Sequence, residues 1–294
     1  MMSPALANGA DPRARTAWTA GVVRFARPQR RALTAYLVAV ILWQLGSTSG
    51  SWLGHDLLFV GRIPAPSTVF VTWSHLVFDP GYWQSWLSSG KRVTVGFCAA
   101  VITGVPLGLI MALSRPVWDL VDPVFELLRP IPPLAWVPAS IIFWPTHELS
   151  IDFVIFIGAF YTMVLNAIGG ARSVDPRLVQ VARSMGASRW NVLRQIVLPG
   201  VLPSVLVGME VSIGITWEVV VAAEMISGGG SSHGAGASGG GLGFFIWSSY
   251  VGGSYPQIVV GMISIGIAGY ISSAALRTVA ARLSRWNVAH GASR

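Results

Sequence analysis

Residues 93–113 contain no charged side chain, and five further apolar segments lie at roughly 32–49, 131–146, 151–170, 199–223 and 256–276. About 20 apolar residues in a helix cross the ~30 Å of hydrocarbon in a bilayer. Within lipid each backbone polar group must be bonded internally, so the segments are expected to be helices. The fold expected is an all-α integral membrane protein with six transmembrane helices. Hydrophobic residues make up 53% of the chain and charged residues 11%, about half the charged share of a globular protein. Too little polar material remains to coat a water-facing surface.

The formal net charge is +8. Its arginines cluster between the apolar runs, which sets membrane orientation and argues against nucleic acid as partner. Seventeen arginines fall in the N-terminal tail, in the links between spans two and three and between spans four and five, and in the C-terminal tail. Only Arg62, Lys91 and Arg92 fall on the opposite side. Both termini are therefore expected in the cytoplasm. The pair Arg30-Arg31 invites a cleaved-signal reading, but five spans follow and an uncleaved first span fits better.

Several segments carry no evident chemistry. Cys98 lies in an uncharged run and is expected as a packed core thiol. Pro106 and Pro138 predict kinks or broken turns. Residues 62–90 contain Trp73, Trp83 and Trp86 among polar residues, and read as an amphipathic helix at headgroup depth. Residues 228–243 include nine glycines and form a flexible external loop. His233 within it has no second ligand nearby and reads as solvated.

The link between spans four and five is the most informative one. Asp175-Pro176 is a helix start, with an N-cap oxygen followed by proline at the first helical position. Leu178, Ala182 and Met185 form an apolar stripe. Gly186 suits the left-handed residue that ends a helix. Ser188 can cap a second helix bearing Trp190, Leu193 and Val197, and Pro199 restarts the chain as span five. The result is a cytoplasmic helix pair between helices 4 and 5, studded with Arg183, Arg189 and Arg194. An interfacial helix on anionic lipid and a protein-docking element fit these residues equally well.

At Gln180-Val181-Ala182-Arg183-Ser184-Met185-Gly186, followed by Leu198-Pro199, the chain resembles the inner-membrane permeases of binding-protein-dependent ABC importers. Their so-called EAA loop grips the ATPase. Ala182, Gly186 and Leu198-Pro199 match in register, whereas Gln180 replaces the usual Glu and Val181 the usual first Ala. The segments Ile63-Pro64-Ala65-Pro66-Ser67, 128–138 (Leu-Arg-Pro through Trp136-Val137-Pro138) and Ala222-Ala223-Glu224-Met225 look like the nitrate, taurine, aliphatic-sulfonate and bicarbonate group. The run at 242–246 fits as well, although the glycine-rich stretch before it is longer than that group usually carries.

The resemblance implies an organisation. Residues 1–31 are a basic cytoplasmic tail, 32–61 the first span and an external link, 62–280 the permease core, and 281–294 the C-terminal tail. The core contains a coupling loop at 171–198 and the external glycine-rich loop at 226–243. ATPase coupling falls to Gln180, Val181, Ala182, Arg183, Met185, Gly186, Arg189, Leu198 and Pro199. The implied partners are a second, identical permease chain, two cytoplasmic ATP-binding subunits and an extracytoplasmic solute-binding protein or lipoprotein, in the cell membrane of a bacterium. The solute implied is a small anion such as nitrate, a sulfonate or taurine.

No nucleotide site is evident: Ser85 and Arg92 occupy positions where a phosphate-binding loop around Lys91 needs Gly and Ser or Thr. No cofactor is expected on this chain, and ATP belongs to the partner ATPase. Glu210 lies mid-way along span five and Glu218 eight residues further. Buried carboxylates are costly, so both should face the bundle or a water-filled path. A translocation path with Glu210, Glu218, Trp217 and Trp136 stands beside a purely structural reading. The resembling group often carries a basic residue near Glu210, and an acid there would repel a small anion. Glu224 is expected to cap or pair locally. A gradient-driven transporter or channel using Glu210 and Glu218 is the alternative function. A membrane enzyme is disfavoured, because the five histidines are scattered with no carboxylate constellation.

Overall fold

The computed structural model describes residues 34–49, 63–228 and 240–283. The expectations for the N-terminal tail, Arg62, most of the glycine-rich loop with His233, and residues 284–294 fall outside those. The described residues are helical, with no strand among them. The chain divides into two compact units, Met1–Val71 and Thr72–Arg294. In the first, helix α1 (Thr34–Ser47) is apolar. The Gln44 amide accepts from Ser67 N at 3.2 Å and donates to Ser67 Oγ at 3.3 Å. Helix α2 (Pro66–Leu76) crosses the unit boundary.

The second unit is built on four long helices: α3 (Pro80–Leu113), α6 (His147–Arg172), α9 (Leu198–Gly228) and α11 (Tyr255–Leu283). All four contain windows long and apolar enough to cross a membrane. Asp79 caps α3 by accepting from Gly81 N at 2.9 Å, with Pro80 at the first position. Thr146 caps α6 by accepting from Leu149 N at 3.3 Å. Both ends satisfy donors that a helix cannot bond itself.

Span two is longer than its uncharged run. Helix α3 has 34 residues, about 51 Å at 1.5 Å per residue. It takes in Trp83, Trp86, Lys91 and Arg92, so the amphipathic interfacial helix expected over 62–90 is two pieces, α2 and the first turns of α3. Cys98 is exposed, which corrects the core-thiol expectation. It shares an outward face with Thr94, Val95 and Ile102. The opposite face of α3 is a stripe of small residues, Gly96, Ala100, Gly104 and Gly108. A Cβ at Gly108 would press on the Val164 carbonyl and Ala167, and one at Gly96 would meet Ile155. This close approach of α3 and α6 substitutes for hydrophobic driving force, which lipid does not supply between helices.

The third apolar segment does not form one span. Residues 133–143 make a single 3-10 turn (Pro133–Trp136) and the seven-residue α5 (Val137–Phe143), about 16 Å in all if fully helical. Pro138 sits in the first turn of α5, where a missing N–H is harmless, so it starts a helix and breaks none. Ahead of it lies an unforeseen helix, α4 (Arg115–Leu128). Together α4 and α5 run antiparallel along the whole of α6. Arg172 stacks 4.2 Å over Trp118, the rings of Phe125 and Tyr161 are 5.2 Å apart, those of Trp136 and Phe153 6.4 Å, and Ser150 Oγ donates to Ser140 Oγ at 2.8 Å. The path is broken at Arg129-Pro130, where prolines deny the helix its bonds.

Candidate functional site

Helix α7 (Pro176–Ser184) begins where expected. Asp175 Oδ1 accepts from Arg177 N at 2.8 Å. It ends on Gly186 at φ +83°. Gly186 N donates to Arg183 O at 2.9 Å and Ala187 N to Ala182 O at 3.0 Å, the paired bonds of a Schellman close. Ser188 caps α8 (Arg189–Val192) by accepting from Asn191 N at 3.3 Å.

From there the structure departs from the expectation. Pro199 does not restart the chain. Residues Leu193–Val197 form one π-helical turn, Leu198 N donates to Leu193 O, and α8 continues through it into α9. Proline at 199 has no N–H and crowds the carbonyl four residues back, and the wider turn relieves both conflicts. The helix pair is thus one free helix and the near end of α9.

The stripe Leu178, Ala182, Met185 is also split. Val179, Ala182, Ala187 and Leu193 pack against Leu109, Met163, Ala167, Val192, Val197, Val201 and Val205. Leu178, Val181, Met185 and Trp190 face outward, with Met185 83% exposed. Gln180, Arg183, Arg189 and Leu198 are exposed beside them and Pro199 is half-buried. The hairpin therefore has a seated face and an uncovered apolar face ringed by arginine.

On α9, residues Val207, Val211, Gly214 and Glu218 lie on one exposed face, with Glu210 at its edge. Glu210 Oε1 accepts from Arg277 Nη1 of α11 at 2.7 Å, with the two side chains 42% and 47% exposed. Arg277, counted by sequence among the cytoplasmic arginines, lies on α11 and pairs with α9. Glu218 has no ion pair among the described residues. Trp217 points the other way: it is buried, and its Nε1 donates to Ser272 Oγ at 2.9 Å. Trp136 is half-buried against Phe153.

The end of the bundle away from α7 holds a cluster that sequence reasoning missed. Arg92 donates through Nη1 to Glu224 Oε1 at 2.8 Å and through Nε to Glu148 Oε2 at 2.9 Å. Glu224 also accepts from Ser89 Oγ at 2.8 and 2.9 Å and from Gly243 N at 2.9 Å. Arg92 and Glu224 are 4% and 1% exposed, Glu148 58%. Glu224, expected to cap or pair locally, caps the start of α10 (Leu242–Val251) at Gly243, 19 residues on, and its charge partner lies 132 residues away. The available signal was a pair of charges inside apolar helices, which must find partners.

The family described as the binding-protein-dependent transport system inner membrane component matches residues 104–288, and the chain belongs to it. A putative ABC transporter permease of Methanocaldococcus jannaschii is 39% identical over 196 residues, covering 67% of this chain and 70% of that one. The nitrate import permease NrtB of a Synechocystis species is 32% identical over 251 residues, 82% of this chain and 84% of the relative. The taurine permease TauC of Escherichia coli is 34% identical over 209 residues, 71% and 72% of the two chains. Among solved structures, the MetNI methionine ABC transporter in inward-facing form matches at TM-score 0.58 and 17% identity, covering 70% of this chain and 98% of that one; this likeness speaks to the fold. The chain is a permease subunit of an ABC importer, a multi-pass component of the inner membrane.

Proposed function

We propose that α7 and the near end of α9 dock this permease onto a cytoplasmic ATPase subunit, through Leu178, Val181, Met185 and Trp190 with Gln180, Arg183, Arg189, Leu198 and Pro199 around them and Ala182 seating the hairpin from behind. Gly186 fixes the angle of the hairpin. The observation that carries this is the uncovered apolar face of a hairpin whose other face is already packed. Such a face against water is unfavourable, and a protein partner removes it. Both termini lie in the cytoplasm with this loop, as the arginine distribution supports. Six crossings result if α4 and α5 together form the third, with α1, α3, α6, α9 and α11 as the others. Two identical permease chains, two ATPases and an external binding protein make up the importer, with ATP held by the ATPases and no cofactor on this chain.

The exposed face of α9 lines the solute path. A half-exposed Glu210–Arg277 pair and an exposed Glu218 are poorly placed against hydrocarbon, which supports a water-filled or protein-covered face. Trp217 is left out of the path by its burial, and Trp136 lies at most on its margin. Because Arg277 neutralises Glu210, the acid is no bar to a small anion. The solute class is the nitrate, bicarbonate or taurine type named for the relatives.

A cysteine probe tests the docking face. With Cys98→Ser as background, Met185→Cys in the whole complex should be shielded from an aqueous maleimide and should cross-link to the ATPase subunit. Free labelling in the complex, or capture of Met185→Cys by a lipid-phase probe, would assign the hairpin to the membrane surface.

A further inference from the structure

Helix α10 has no cap of its own: Gly241 stands at its N-cap and supplies no side chain. Its first free amides are bonded by other helices. Leu242 N donates to Ser89 Oγ of α3 at 2.8 Å, and Gly243 N to Glu224 Oε2 of α9 at 2.9 Å. A helix end needs such partners when it is buried, and Leu242 and Gly243 are buried. The fit is tight enough to demand glycine. A Cβ on Gly241 would land on the Glu224 carboxylate, and one on Gly243 on the Val221 backbone.

We propose that Arg92, Ser89 and Glu224 are positioning residues that hold α10 to α3 and α9 through the whole transport cycle, so that the three helices move as one body. The helix thus anchored is the one whose exposed face carries Glu210 and Glu218, and α10 follows it. Burial argues for a permanent brace over a latch that opens, and Arg92 holds Glu224 and Glu148 at the same time. Opening would strip a carboxylate that is 1% exposed of its ion pair, a hydroxyl and a backbone donor, a costly loss for a buried charge.

Hydrogen exchange on the wild-type importer, assembled with its ATPase and shown in the same preparation to take up solute with ATP, tests this. The peptide covering residues 242–249 should exchange equally slowly, within about threefold, in the nucleotide-free and ATP-trapped states. Exchange a hundredfold faster in either state overturns the brace. Glu224→Gln keeps the shape and removes the charge. It should cut uptake at least tenfold and speed exchange in 242–249 while α6 exchanges as before. Wild-type uptake by Glu224→Gln also overturns the proposal, and should that variant fail to assemble, the wild-type comparison decides.

Discussion

Arg92 shows how far one side chain's partners can lie from it in sequence. A charge inside an apolar helix must find a partner, but nothing around Lys91-Arg92 says which, and the arginine reads as one more charge on the sparsely basic side. Its partner Glu224 has no local signature either, because a pairing across 132 residues is decided by helix packing. Asp175, Gly186 and Ser188 are the opposite case. Their bonds reach two or three residues, so capping rules read them correctly from sequence. Two predictions follow at single positions. Glu224→Ala leaves the Arg92 guanidinium buried with one partner lost, which destabilises by about 3–5 kcal/mol. Thermal unfolding in detergent checks it, and Arg92→Leu with Glu224→Leu together should recover part of the loss. Gly186→Val forces a β-branched residue to φ +83°, a strain of about 1–2 kcal/mol. The permease should still insert and bind the ATPase, while ATP-dependent uptake falls at least tenfold.

Periodicity located the helices between α6 and α9 but not their inward side. The pattern Leu178, Ala182, Met185 looks like a core stripe because such stripes normally face a core. In the fold the core side is Val179 and Ala182, and the bulkier Leu178, Val181 and Met185 are left exposed. The split of the third apolar segment was hidden for a different reason. Prolines at 130, 132 and 133 interrupt it, so neither half has the length of a span, and Asp119, Asp122 and Glu126 made α4 look like a link. Lateral support from α6 replaces the continuous hydrogen bonding that a lone helix needs. Val181→Asp should weaken ATPase association about tenfold, equivalent to ~1.4 kcal/mol, as read by titration of the purified subunits. The unfolding temperature should stay unchanged, since Val181 is already exposed.

For the molecule as a whole, an all-helical membrane chain was legible because lipid leaves a chain few options, whereas the described residues hold four helices long and apolar enough to cross against the six expected. The charges of α9 were only half legible. Glu210 and Glu218 declared themselves as charges in an apolar helix, yet the neutralisation of one by Arg277 depends on the packing of α11 beside α9. If the face of α9 carries solute, Glu218→Gln should change the Michaelis constant for uptake at least threefold while leaving assembly and basal ATP hydrolysis intact. An unchanged constant would remove Glu218 from the path. The central proposal is that the driving force comes from a separate subunit gripped by α7. Reconstitute the permease in liposomes with its binding protein, add or omit the ATPase, and follow accumulation of solute with and without ATP. Uptake against the gradient should require both the ATPase and ATP, and should survive an ionophore. Accumulation by the permease alone, abolished by the ionophore, would contradict it.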